Sequence, residues 1–143
     1  MYKYLAIILS LVAVYGCWSY YFVSTGLDNI DCESKEEAKS QAELALVLYG
    51  GEARVIKTSG YSNSLSGFFK KGYTVIIEVG YDNLSKNDFV VYRYSKGLVL
   101  HRIRIKTDKG WIVEGDGNDL PDPILVTKDN LVGVVLNKKV YRY

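Results

Sequence analysis

The chain contains one histidine, His101, and its surroundings define the chemistry open to it. It stands in a run, 98–106, rich in Leu, Val and Ile. Side chains alternate across a strand, so Val99, His101, Ile103 and Ile105 share one face while Arg102, Arg104 and Lys106 share the other. An imidazole on an apolar face is desolvated and easily neutral, which suits a general base near neutral pH. The competing reading is a hydrogen-bonded core histidine without chemistry. Two more stretches carry polar groups. Gly115-Asp116-Gly117-Asn118-Asp119-Leu120-Pro121-Asp122-Pro123 is rich in carboxylates, though Asp, Asn, Gly and Pro are also the usual turn residues. An EF-hand counted from Asp116 would place Leu120, Pro121 and Thr127 at positions five, six and twelve, and fails. Ser59-Gly60-Tyr61-Ser62-Asn63-Ser64-Leu65-Ser66-Gly67 supplies hydroxyls, and taken alone reads as a loop.

The elements that must position these groups follow from composition and period. The chain has 143 residues, the size of one domain, with 48% hydrophobic and 24% charged residues. With 18 Lys+Arg against 16 Asp+Glu, a net charge of +2 gives no electrostatic case for nucleic acid. Two Cys and one His exclude a Cys/His zinc site of standard spacing. Residues 4–23 form about 20 apolar-dominated positions, enough for a transmembrane helix. Trp18, Tyr20 and Tyr21 sit at one end as an interfacial belt would. Lys3 precedes the span, whereas Asp28, Asp31 and Glu33 follow it, which predicts a cytoplasmic N-terminus and an extracytoplasmic remainder. The aromatic run after Cys17 argues against a cleaved signal peptide and against acylation at Cys17. On this reading Cys17 and Cys32 lie in different phases and do not pair.

Ser34-Lys35-Glu36-Glu37 is a capping box, and Gly50-Gly51 ends the helix it opens. From residue 52 the period changes. Runs 74–79, 88–94, 98–106, 111–114 and 132–141 read as strands, with Asn137-Lys138 as a hairpin turn in the last. The expected architecture is therefore mainly β. Residues 1–27 are cytoplasmic N-terminus and anchor, 28–51 a helical spacer, and 52–143 a compact all-β domain.

In chain order, the serine-rich turn, the His-Arg strand and the Gly-Asp-x-Asn loop with a later Asp resemble type I signal peptidases. The resemblance is to the archaeal, endoplasmic-reticulum and spore-former branch, which pairs Ser with His. Ser62-Asn63-Ser64-Leu65 stands where that family has Ser-Gly-Ser-Met. Lys86-Asn87-Asp88-Phe89-Val90-Val91-Tyr92-Arg93 is similar to its Gly-Asp-Ile-Val-Val-Tyr-Arg strand. Leu100-His101-Arg102-Ile103 matches its Val-His-Arg-Val. Glu114-Gly115-Asp116-Gly117-Asn118 with Asp122 matches its Lys-Gly-Asp-Asn-Asn box and following Asp, and Asn130 to Val135 its closing strand. The likeness spans residues 53–136 and the anchor. The chain departs from the pattern at the serine box, where Gly67 replaces a Pro, Leu65 a Met, and Gly72-Tyr73 a Gly-Asp.

The resemblance implies a membrane-bound serine endopeptidase with a signal-peptidase-like β fold, cleaving exported precursors after small residues and needing no metal or cofactor. Ser64 would be the nucleophile and His101 the general base. Asp122 would orient the base, with Asp116 as an alternative or supporting acid, and Ser62 would donate to the oxyanion. In a second alignment Ser62 is the nucleophile. The substrate would lie as an added strand beside residues 54–58. The alternative to an enzyme is a catalytically inactive, membrane-tethered β-domain that binds a partner.

Overall fold

The structure is a computed structural model of the chain, and it describes residues 27–58, 71–116 and 118–143. The expected membrane span, 4–23, and the serine stretch, 59–67, lie outside the described residues. Among the described residues no helix is long and apolar enough to cross a membrane. The protein is mainly β, as its period predicts: one helix packs on a curled half-barrel sheet.

The elements run β1 (Asp28–Asp31), α1 (Lys35–Tyr49), β2 (Ala53–Thr58), β3 (Gly72–Ile77), β4 (Phe89–Tyr94), β5 (Gly97–Lys106), β6 (Trp111–Glu114), β7 (Leu131–Val135) and β8 (Lys139–Arg142). Along the sheet the order is β1-β8-β3-β7-β4-β5-β6, with β2 on the other side of β3. β4 is a continuous apolar run because it is buried on both faces: Phe89, Val90, Val91 and Tyr92 are each at most 1% exposed. Val90 and Tyr92 pack with Ile103, Trp111, Val113 and Val126. Phe89 and Val91 pack with Ile76, Val132 and Val135 on the opposite side.

The helix begins and ends where its caps require. Ser34 Oγ accepts from Glu37 N–H at 3.1 Å, and Glu37 Oε2 accepts from Glu33 N–H at 2.7 Å. Gly50 closes it in the left-handed region, φ 67°. Segment 28–51 is nevertheless part of the domain rather than a spacer. Ala38 and Ala42 are fully buried against Tyr73, Val75 and Tyr141. β1 pairs in parallel with β8, Asp28 opposite Lys139 and Asp31 opposite Arg142. The small side chains at 38 and 42 let the helix approach the sheet closely.

The last predicted strand also differs. Asn137-Lys138 is not a hairpin turn, since β7 and β8 run along the same edge of β3 in the same direction. Leu136, Asn137 and Lys138 bulge out, with Asn137 at φ 51° and Lys138 at φ 55°, and shift the register by three residues. Above the bulge β7 turns to pair with β4; below it β8 pairs with β1. Gly133 permits the tight fit of β7 against β3, because a Cβ there would stand 2.7 Å from the Ile77 carbonyl oxygen.

Candidate functional site

β4 and β5 form a two-residue hairpin through Ser95 and Lys96, which sets Val90 opposite His101 and Tyr92 opposite Val99. Tyr92 and His101 are therefore diagonal neighbours on one face, their rings 6.4 Å apart and inclined at 60°. β6 runs back beside β5, and the chain after it folds over this face. The Asp122 N–H donates to the Val113 carbonyl at 2.9 Å, and Val126 bridges to Trp111. These main-chain bonds carry the Asp122 carboxylate to the two rings. One of its oxygens, Oδ2, takes both His101 Nδ1 and the Tyr92 hydroxyl at very short range. His101 is 8% exposed, so the contact is largely out of water.

Two consequences follow. A carboxylate on Nδ1 holds the proton there in the neutral ring, which leaves the Nε2 lone pair as the basic position. Burial, and then the bond to Asp122, push the Tyr92 phenol well above its ordinary value, so Tyr92 acts as a permanent donor to the same carboxylate. The three side chains border a partly open pocket of about 140 Å³ lined also by Tyr94, Val99, Pro123 and Ile124. A space that size accepts a small side chain or a few waters.

Asp116 is placed elsewhere. It pairs with Arg102 Nη2 and, at 3.5 Å, with Arg104 Nη2, and Arg104 Nε meets Glu114 at 3.1 Å. Arg102 also stacks over Phe89 at 4.8 Å. Those residues occupy the face of β5 opposite to His101, so the structure brings Asp122 to the histidine and not Asp116. Ser62 and Ser64 lie outside the described residues. The strand expected to receive substrate is β2, which pairs only with β3 among the described residues. No group of His, Cys, Asp and Glu that could hold a metal occurs among the described residues.

The connection that carries the two serines leaves the sheet at Thr58 and returns at Lys71, at the rim where Thr58 faces Gly72. His101 is level with the other rim, through Val90, Val134 and Ile77. Three ladders and five residues separate His101 from Gly72, about 20 Å over a flat sheet and less across a curled one.

Tyr92 is the site residue the sequence reading passed over. Its signal was present only in part: the register that places Tyr92 on the histidine's face requires Gly97 to belong to the second strand, so that the turn is the two residues Ser95-Lys96. Comparison with protein-family models, with curated proteins and with solved structures finds no match to this chain.

Proposed function

We propose that the chain is a membrane-bound serine endopeptidase, signal-peptidase-like in its β domain, that removes signal or leader peptides from exported precursors at small-residue sites. The supporting observation is the buried contact of His101 Nδ1 with Asp122 beside a small cavity. It joins residues from two elements and prepares the free ring nitrogen to take a proton. In this reading Ser64 Oγ attacks the scissile carbonyl while His101 removes its proton. The Ser64 N–H and the Ser62 hydroxyl hold the oxyanion. The imidazolium, stabilised by Asp122, returns the proton to the leaving amine, and water then repeats the cycle on the acyl-serine. The seven residues from Ser64 to Lys71 span up to about 24 Å, enough to cover the distance to His101. Precursor would add as a strand along the edge of β2 that has no partner among the described residues. The N-terminal anchor, with its N-terminus in the cytoplasm, would hold the domain on the extracytoplasmic side.

The test is precursor cleavage by the full chain in membranes. Ser64→Ala and His101→Ala should each abolish cleavage, and the double variant should be no worse than either, because nucleophile and base act as one unit. Ser62→Ala should leave weak activity if it is an oxyanion donor, and none if it is the nucleophile. Full cleavage by Ser64→Ala together with Ser62→Ala would overturn the reading. One observation favours the second reading, an inactive tethered binding domain: the serine-bearing connection leaves the sheet at the rim opposite to His101. That reading predicts no cleavage by wild type and full complementation by Ser64→Ala.

A further inference from the structure

The exposed large hydrophobic side chains are not scattered. Leu44, Val47, Leu48 and Tyr49 are 52%, 74%, 77% and 42% exposed and lie at the C-terminal end of α1. Tyr94 and Leu98, 44% and 52% exposed, flank the β4–β5 turn. The strand registers place both groups at one end of the domain. α1 leaves the rim where Asp31 is level with Arg142 and Gly72, and delivers the chain to Ala53, opposite Ile77, at the other rim. The β4–β5 hairpin projects beyond that second rim, because Val90 is level with Ile77 through Val134 and the strand continues to Tyr94. Of the eight exposed large hydrophobics among the described residues, six belong to these two groups; Leu120 lies in the connection after β6, and Ile105 on a strand segment directed to the first rim.

Three facts identify the occupant. First, α1 is polarised along its axis rather than only around it. Lys35, Glu36, Glu37, Lys39 and Glu43 fill its first part, while Leu44-Ala45-Leu46-Val47-Leu48-Tyr49 carries no charge. A surface helix in water keeps a polar outer face along its whole length. Second, β1 is entered from the same end: it runs parallel to β8 toward Arg142, so its first residue, Asp28, is its end nearer the second rim. The uncharged, apolar-dominated stretch 4–23 precedes that end of β1 in the sequence by only a few residues. Third, the rim carries charges of both signs, Glu52 and Lys96 among them, so apolar contact rather than net charge would drive association.

We propose that this end of the domain, the C-terminal end of α1 with the β4–β5 tip, is seated in the interfacial layer of the bilayer. Leu44, Val47 and Leu48 reach about 5–10 Å into the headgroup–acyl boundary. The proposal rests on the reading of residues 4–23 as a membrane anchor. It adds an orientation: the domain stands on its His101 rim, with the rim of Thr58 and Arg142 toward water.

The experiment uses the full chain with Cys17→Ser and Cys32→Ser, reconstituted in phosphatidylcholine vesicles. Single cysteines at Leu48→Cys, Lys39→Cys and Leu11→Cys carry an environment-sensitive fluorophore. Positions 47 and 98 are repeated in the same way, and all of the labelled domain sites are exposed, so labelling leaves the core intact. The expected result is blue-shifted emission at 48, quenched by a nitroxide near the lipid headgroup, with several-fold weaker iodide quenching than at 39. The label at 11 should respond to an acyl-chain nitroxide. Adding anionic lipid should leave the pattern unchanged. A label at 48 as open to iodide as that at 39, with 11 in the acyl region, overturns the seating and leaves the anchor standing. A label at 48 shielded from both quenchers overturns it in favour of a protein occupant. Iodide access at 11 overturns the anchor and the seating together.

Discussion

His101 and Arg102 are neighbours in sequence and face opposite sides of one strand, and each side has recruited its own aspartate. On the first side, Asp122 meets an imidazole and a phenol. On the second, Asp116 meets Arg102 and Arg104, two cations that never lose their charge. The two carboxylates come from one turn-rich segment, yet they do different work. Asp116 is neutralised in a permanent ion-pair cluster that joins β5 to the end of β6. Asp122 instead contacts the imidazole, the side-chain type most used for proton transfer.

That contrast can be broken from either side. The largest effect is expected from Asp122→Asn, which preserves shape but no longer holds the proton on His101 Nδ1. Precursor cleavage should fall by about 10⁴-fold, the loss typical when an orienting carboxylate is neutralised. Asp116→Asn should leave cleavage near wild type and act on stability instead. It strands Arg102, whose Nε has no hydrogen-bond partner among the described residues, and should cost about 1–3 kcal/mol in a urea titration. A large loss of cleavage with Asp116→Asn would erase the distinction between the two faces.

Tyr92→Phe sharpens the comparison by removing the second donor to Asp122, and should cost about 1–2 kcal/mol. It also has a pH signature. The folded-state phenol titrates above its ordinary value of 10.0, so the unfolded chain releases its proton first as pH rises. The stability held through Tyr92 is complete below that value and is lost as pH climbs above it. Thermal midpoints followed from about pH 9 to about pH 11 should fall less steeply for Tyr92→Phe than for wild type. The smallest effect is expected from Arg104→Gln. Its side chain is 31% exposed and Arg102 still holds Asp116, so the cost should stay below about 1 kcal/mol.

Much of the fold could be read from local pattern. Caps at Ser34 and Gly50 bound the helix, and β-branched runs located β3 to β7 within a few residues. β1 was not legible. Asp28-Asn29-Ile30-Asp31 contains poor strand formers, and it is a strand because β8 offers it a hydrogen-bonding edge. The bulge at Leu136 to Lys138 was misread for a related reason. Two consecutive left-handed residues resemble a hairpin turn locally, and only the availability of β3 beyond them keeps the chain running on.

The sequence by itself determined which way His101 faces. A strand alternates its side chains whatever lies beside it, and apolar neighbours at 99 and 103 mark the buried side; Ile105, expected on the same face, is exposed because the β5–β6 register shifts between Ile103 and Ile105. Which acid would meet the imidazole was decided by tertiary structure. Asp116 lies two residues beyond Glu114, whose pairing with Arg102 carries the turn toward the arginine face. Asp122 is folded back over the histidine face by the bonds of its own N–H to Val113 and of Val126 to Trp111. Those hydrogen bonds tie 122 to 113 and 126 to 111, so the residues next to either aspartate do not carry the choice, and only the family resemblance had singled out Asp122.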